Sequence, residues 1–186
     1  MNERGLNWFA WDGHTDLVLP HSLRGAWEGG QPPSSRRVVT AGFKCDPDEP
    51  ATDYDRACSL EAPIGPIPVG TGEALVITNA PLLAWVPDGK AGAFVVAVAW
   101  GNLTDDVVLK LAERSRSAVE DRGVIFKTSD TLLHVLAAVD TFGNPYGSGH
   151  FSIAVEPGQY RIRTHEYDEG GEGHFLVHQL DWVGGV

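Results

Sequence analysis

The run Asp53-Tyr54-Asp55-Arg56-Ala57-Cys58 places two carboxylates, a phenol, a guanidinium and a thiol in one short stretch. Two readings fit those residue types. Facing outward, the Asp and Tyr side chains would meet basic groups of a partner. Facing inward, Arg56 would bridge carboxylates while Tyr54 and Cys58 pack against the core. The residue types favour the second. More acids flank the run: Asp46, Asp48 and Glu49 before it and Glu61 after it.

A second group is histidine-rich. His165, His174 and His178 lie in neighbouring β-prone segments, with Glu166, Asp168, Glu169 and Glu172 between them. In a hairpin, His165 and His174 would approach across the strands, and His174 and His178 would share a face. That makes the three weak metal-ligand candidates. The plainer reading is polar side chains on a solvated sheet face, so no metal and no cofactor is assigned.

Nucleophilic catalysis needs a Ser or Cys beside a His base and an orienting group. No Gly-x-Ser-x-Gly elbow is present. Gly147-Ser148-Gly149-His150 brings Ser and His close in sequence, but reads better as a glycine-rich turn. Gly70-Thr71-Gly72 is too short for a phosphate loop and precedes a strand rather than a helix. Cys45 and Cys58 have no nearby His pair to complete a zinc site. They default to thiols, and their spacing leaves a disulfide open. No catalytic residue is assigned.

These groups must be positioned by a mostly-β scaffold. Gly 22 and Pro 12 among 186 residues indicate many turns, and a hydrophobic fraction of 42% supports a real core. Leu6 to Leu19 reads as two short strands around the Asp12-Gly13 turn signal. Ser22 to Trp27 reads as one helical turn or an irregular corner. Glu28 to Pro50, rich in Gly, Pro, Ser and charge, is the expected long loop, interrupted by β-prone Val38-Val39-Thr40. Pro63, Pro66 and Pro68 frame a rigid approach to the turn Val69-Gly70-Thr71-Gly72, and Ala74 to Thr78 is a buried strand. Ala93 to Trp100 is a second buried strand. The single main helix is expected near residues 104–119, capped by Thr104, with Asp105 and Asp106 at its positive end. Further strands are expected at Val124 to Phe126, Leu132 to Val139, Phe151 to Val155, Gln159 to Tyr167 and His174 to Trp182.

Two stretches recur. Gly72-Glu73-Ala74-Leu75-Val76-Ile77 resembles Gly158-Gln159-Tyr160-Arg161-Ile162-Arg163, and Gly92-Ala93-Phe94-Val95-Val96 resembles Gly173-His174-Phe175-Leu176-Val177. The expected fold class is α+β, mostly β. Its antiparallel sheets would come from two duplicated β units in one domain over 1–186, with pseudo-repeat halves 1–101 and 102–186.

The formal net charge is −11. That argues against nucleic-acid binding, which needs clustered Lys and Arg, and against an anionic membrane surface. It suits either simple solubility or engagement of a basic partner. Nothing reads as a signal peptide, and the most apolar run, 91–100, falls far short of the roughly 20 residues of a membrane span. The expectation is a cytoplasmic protein; its oligomeric state is left open.

Leu23-Arg24-Gly25-Ala26-Trp27, then Thr52 to Cys58, then Gly65-Pro66-Ile67-Pro68-Val69-Gly70-Thr71-Gly72-Glu73-Ala74-Leu75-Val76 resemble the immunity protein 21 family of bacterial polymorphic toxin systems. Val139-Asp140 and Leu176-Val177-His178-Gln179-Leu180 fit the same pattern. The sequence departs from it at Asp12-Gly13-His14-Thr15-Asp16, where a Gly-Gly-Pro turn is expected, and at the apolar Val98-Ala99-Trp100. The resemblance implies a mostly-β, non-enzymatic protein that binds and neutralises a cognate toxin, often a nuclease. On charge and loop position, the expected toxin contact is Asp46, Asp48, Glu49, Asp53, Tyr54 and Asp55. The alternatives are a small-molecule- or metal-binding β module using the histidine face, and a hydrolase with an unrecognised site.

Overall fold

In the computed structural model, residues 6–11, 13, 15–34, 37–89, 92–118, 123–144 and 147–185 are described. Two antiparallel sheets pack face to face. The first has β1 (Asn7–Ala10), β5 (Leu82–Asp88), β6 (Gly92–Gly101), β11 (Gly173–Gly184), β10 (Gly158–Asp168) and β7 (Val124–Thr128), in that spatial order. The second runs β3 (Ile64–Val69), β4 (Gly72–Thr78), β2 (Thr15–Pro20), β8 (Leu132–Ala137) and β9 (His150–Ala154). The fold is thus mostly β with one main helix, as the turn-rich composition and apolar strands imply.

Strand burial follows from this layering. Val18, Leu75, Ile77, Trp85, Val95, Phe126, Val135 and Ile162 meet between the sheets. The outer face of the first sheet is closed by α2 (Asp105–Arg116), whose Val108, Leu111 and Ala112 pack on Phe94, Val96, Phe175 and Val177. Thr104 caps α2 by accepting from the Val107 N–H at 3.4 Å. The helix therefore occupies the expected position and ends at Arg116. The outer face of the second sheet is covered by the corner at His21–Leu23, by Trp27 and by α1 (Asp53–Cys58), over Leu17, Leu19, Val76 and Leu136. With apolar neighbours above and below, β2 is buried along its whole length.

Several expectations are corrected. The prolines of 63–68 do not merely frame a turn; Ile64–Val69 is a strand paired to β4. It lies at a sheet edge, where Pro66 and Pro68 cost no ladder bond. Leu82–Asp88 is also a strand, paired on both sides. Val38-Val39-Thr40 forms none. The two strands of Leu6 to Leu19 do not pair with each other: β1 joins β5 and β2 joins β4 and β8. Asp12 lies outside the described residues.

Each sheet is built from both halves of the chain. Residues before 102 supply β1-β5-β6 and β3-β4-β2; later residues supply β11-β10-β7 and β8-β9. From edge to centre, β1, β5 and β6 are matched in order by β7, β10 and β11. Gly92–Val96 and Gly173–Val177 accordingly sit on adjacent central strands. Gly72–Ile77 and Gly158–Arg163 do not correspond, because β4 and β10 are in different sheets. The longer segment after β4 holds an additional strand, β5, and it is β5 that takes the place equivalent to β10.

Candidate functional site

Among its described residues, the long loop between Trp27 and Thr52 has no regular structure, yet it is pinned at several points by α1. Thr52 and Asp55 form a reciprocal cap: the Asp55 N–H donates to Thr52 Oγ1 at 3.1 Å, and the Thr52 N–H to Asp55 Oδ2 at 2.8 Å. The other Asp55 oxygen accepts the Cys45 N–H at 2.7 Å. Burial pushes the Asp55 carboxyl up, but the donors from Cys45 and Thr52 outweigh it and hold it below the usual range.

Asp53 does the same work nearer the start of the loop. Its Oδ2 accepts the Glu28 N–H at 2.9 Å, while Oδ1 accepts from Arg37 at 2.5 Å and from Arg56 at 2.9 Å. Arg37 also reaches Glu28, whose carboxylate accepts the Ser34 N–H. Those bonds, first from Ser34 and then from Arg37, lower the Glu28 pKa. The Arg37 pKa is raised chiefly by Asp53. Ser59 Oγ takes the Phe43 N–H at 2.9 Å, and Lys44 Nζ caps the carbonyls of Pro47 and Glu49, both at 2.6 Å. At the root, Trp27 Nε1 donates to the Ala138 carbonyl at 3.1 Å. Gly29 has φ +58, and a Cβ there would meet the Val139 oxygen at 2.3 Å, so only glycine lets the loop leave the sheet here.

The six expected contact residues therefore separate. Asp46, Asp48 and Glu49 are exposed. Asp53 and Asp55 are 1% and 4% exposed and spend their oxygens on internal donors, so they hold the loop rather than face a partner. Tyr54 is half-buried, its ring edge-on to Trp11 at 6.4 Å, and burial, then Cys58, raise its pKa. Arg56 bonds Asp53 but not Asp55, so the expected bridge between those two carboxylates is replaced by Arg37 joining Asp53 to Glu28. No local sequence signal links Arg37 or Glu28 to this group, since both sit inside an irregular segment. Beside the exposed acids stand Phe43, 55% exposed, and Val38, 89% exposed. A groove of about 340 Å³ runs between Pro32, Cys45, Asp46, Glu49 and Tyr54. Cys45 and Cys58 are both thiols, and burial together with the Asp55 carboxylate pushes Cys45 up to about 11.

The histidine group does not converge. His165 pairs with Val177 on the side of the sheet facing α2, whereas His178 pairs with Val95 on the side facing the other sheet. His178 is fully buried, shares a 2.9 Å hydrogen bond with Thr164, and is pushed down to about 3 by burial and then by His165. His174 bonds Glu166 at 2.7 Å. Strand alternation separates what proximity in sequence suggested, and among the described residues no three His, Cys, Asp or Glu side chains group as metal ligands. No helix among them is long and apolar enough to cross a membrane.

The family model for immunity protein 21 matches residues 7–173, which span β1 through the first residue of β11. The chain belongs to the immunity protein 21 family. No curated protein and no solved structure matches it. As an immunity protein it binds a cognate toxin, and its family points to an inhibitory rather than an enzymatic role. The matched span includes the α1 segment that anchors the loop and the exposed acids it supports.

Proposed function

We propose that this immunity protein neutralises a basic nuclease toxin by presenting the loop 38–50 to it. The observation that carries this reading is the pairing of exposed Asp46, Asp48 and Glu49 with exposed Phe43 on a segment tied down by buried Asp53 and Asp55. A nuclease must be positive where it holds phosphates. A carboxylate surface competes for that site, and a net charge of −11 speeds the encounter. Phe43 supplies the apolar anchor that charge alone lacks. Because the loop is already bonded to α1, little ordering cost opposes binding. The reading requires no catalysis and places the protein in the cytoplasm, where such a toxin would attack nucleic acid.

The test is co-expression with its cognate toxin. Cells carrying the pair are expected to survive with intact nucleic acid, while toxin alone degrades it. Death at the same rate with and without the immunity protein would overturn the pairing. Protection from a toxin that leaves nucleic acid intact would overturn the nuclease assignment alone.

A further inference from the structure

A cluster on the outer face of the second sheet takes no part in the loop. His21, at the corner after β2, sets its Nδ1 2.9 Å from Nε2 of His134 on β8. Nδ1 of His134 is in turn 2.8 Å from Oγ of Ser152 on the edge strand β9. Ser152 is exposed, while His134 is 3% exposed. The rings of Phe142 and His150 close one side, with centroids 4.5 and 5.7 Å from that of His134. His21 is fixed in its turn: Arg24 donates to its carbonyl at 2.8 Å, and the neighbouring Ser22 hydroxyl bonds Asp130 at 2.6 Å.

A hydroxyl bonded to an imidazole that is itself oriented by a third group is the arrangement that activates a nucleophile. Proton direction decides whether that applies here. If Ser152 donates to Nδ1 of His134, Nε2–H of His134 donates to Nδ1 of His21, and both rings carry the proton on Nε2. Reversing the chain would put both protons on Nδ1, the less stable position in a neutral imidazole side chain. Burial, then the proximity of His21, His150 and Arg24, lowers the His134 pKa, with Asp130 opposing. The ring is thus unprotonated and available as a base at neutral pH.

We propose that Ser152 is a nucleophile activated by His134, with His21 as the positioning residue, and that it accepts a small acyl group from an activated ester. Oγ attacks the acyl carbon and a new C–O bond forms. The hydroxyl proton passes to Nδ1 of His134, and the ester's C–O bond breaks to release the leaving group with its electron pair. No oxidant or reductant is needed. Ser152 is exposed, so a group as small as acetyl reaches it from solvent.

The full chain is treated with p-nitrophenyl acetate and mapped by peptide mass spectrometry. One acetyl group is expected on Ser152, forming about 100-fold faster than in His134→Gln. An unmodified Ser152, or equal rates in a folded His134→Gln chain, overturns the proposal. Should that variant lose its fold, His21→Phe and nitrogen NMR of the wild-type rings decide. A His134 proton on Nε2 with slowed acetylation in His21→Phe supports the relay. A proton on Nδ1, or unchanged acetylation, overturns it.

Discussion

The Asp53 carboxylate and the Arg37 guanidinium meet at 2.5 Å across a separation of 16 residues, and the Asp53 side chain is wholly buried. Replacing Asp53 with Ala would leave Arg37, Arg56 and the Glu28 N–H without their shared acceptor. Removing one partner of a buried ion pair costs about 3–5 kcal/mol, and partial exposure of Arg37 places this site near the lower end. A fall of roughly that size in urea-unfolding free energy is expected, with faster hydrogen exchange between residues 28 and 50. Unchanged exchange would show that the loop does not depend on this bond.

The exposed acids should govern the speed of toxin capture. Changing Asp46 and Asp48 to Asn and Glu49 to Gln is expected to slow association about tenfold or more in low salt, with little effect at high salt. Phe43→Ala should instead quicken dissociation, because an apolar anchor acts after encounter. Stopped-flow binding to the toxin separates the two effects. Identical association rates in low salt would remove the acids from the interface.

Asp16 is fully buried on β2, and among the described residues only the Trp11 indole N–H approaches its carboxylate, too loosely for a well-formed hydrogen bond. Burial raises its pKa to about 8 from 3.8, and the Trp11 N–H offsets this only in part. The folded chain keeps this proton while the unfolded chain releases it, so stability falls as pH rises from about 4 to about 8. Asp16→Asn should flatten that slope and raise the melting temperature at pH 8. Parallel pH profiles for the two proteins would count against a buried neutral acid.

His178 has the opposite slope. Its folded pKa of about 3 lies below the usual 6.5. The unfolded chain therefore gains a proton first as pH falls, and stability is lost between about 6.5 and 3. His178→Gln removes this term, and its urea midpoint should fall less between pH 6 and pH 4 than that of the wild type.

Thr104→Ala removes the side-chain cap of α2. A loss of about 1 kcal/mol is expected by thermal or urea unfolding, without change in toxin binding, since α2 lies across the first sheet from the loop.

Most of the scaffold was legible because its residues carry local signals. The period of Val108, Leu111 and Ala112 and the Thr104 cap define α2, and apolar runs mark β4 and β6. Ile64–Val69 was harder to see, since its prolines read as breakers until the strand is known to lie at an edge. α1 was likewise hidden: Thr52 and Asp55 signal a cap, but the short run after them lacks a helical apolar stripe. The site was half legible. Acid content located Asp46, Asp48 and Glu49, but the inward turn of Asp53 and Asp55 depends on Arg37, Glu28 and Cys45, whose approach no short-range pattern encodes. The same limit concealed His21, His134 and Ser152, which only the pairing of β2, β8 and β9 brings together.

The position of β11 has a consequence for synthesis. It is made after both of its neighbours, yet it lies between β6 and β10 at the middle of the first sheet. Until residues 173–184 leave the ribosome, β6 and β10 each lack a neighbour and the apolar strips on both faces stay wet. At about 5–20 residues per second, the nascent chain spends seconds in that state. Protection should therefore begin abruptly for each molecule as β11 docks between β6 and β10.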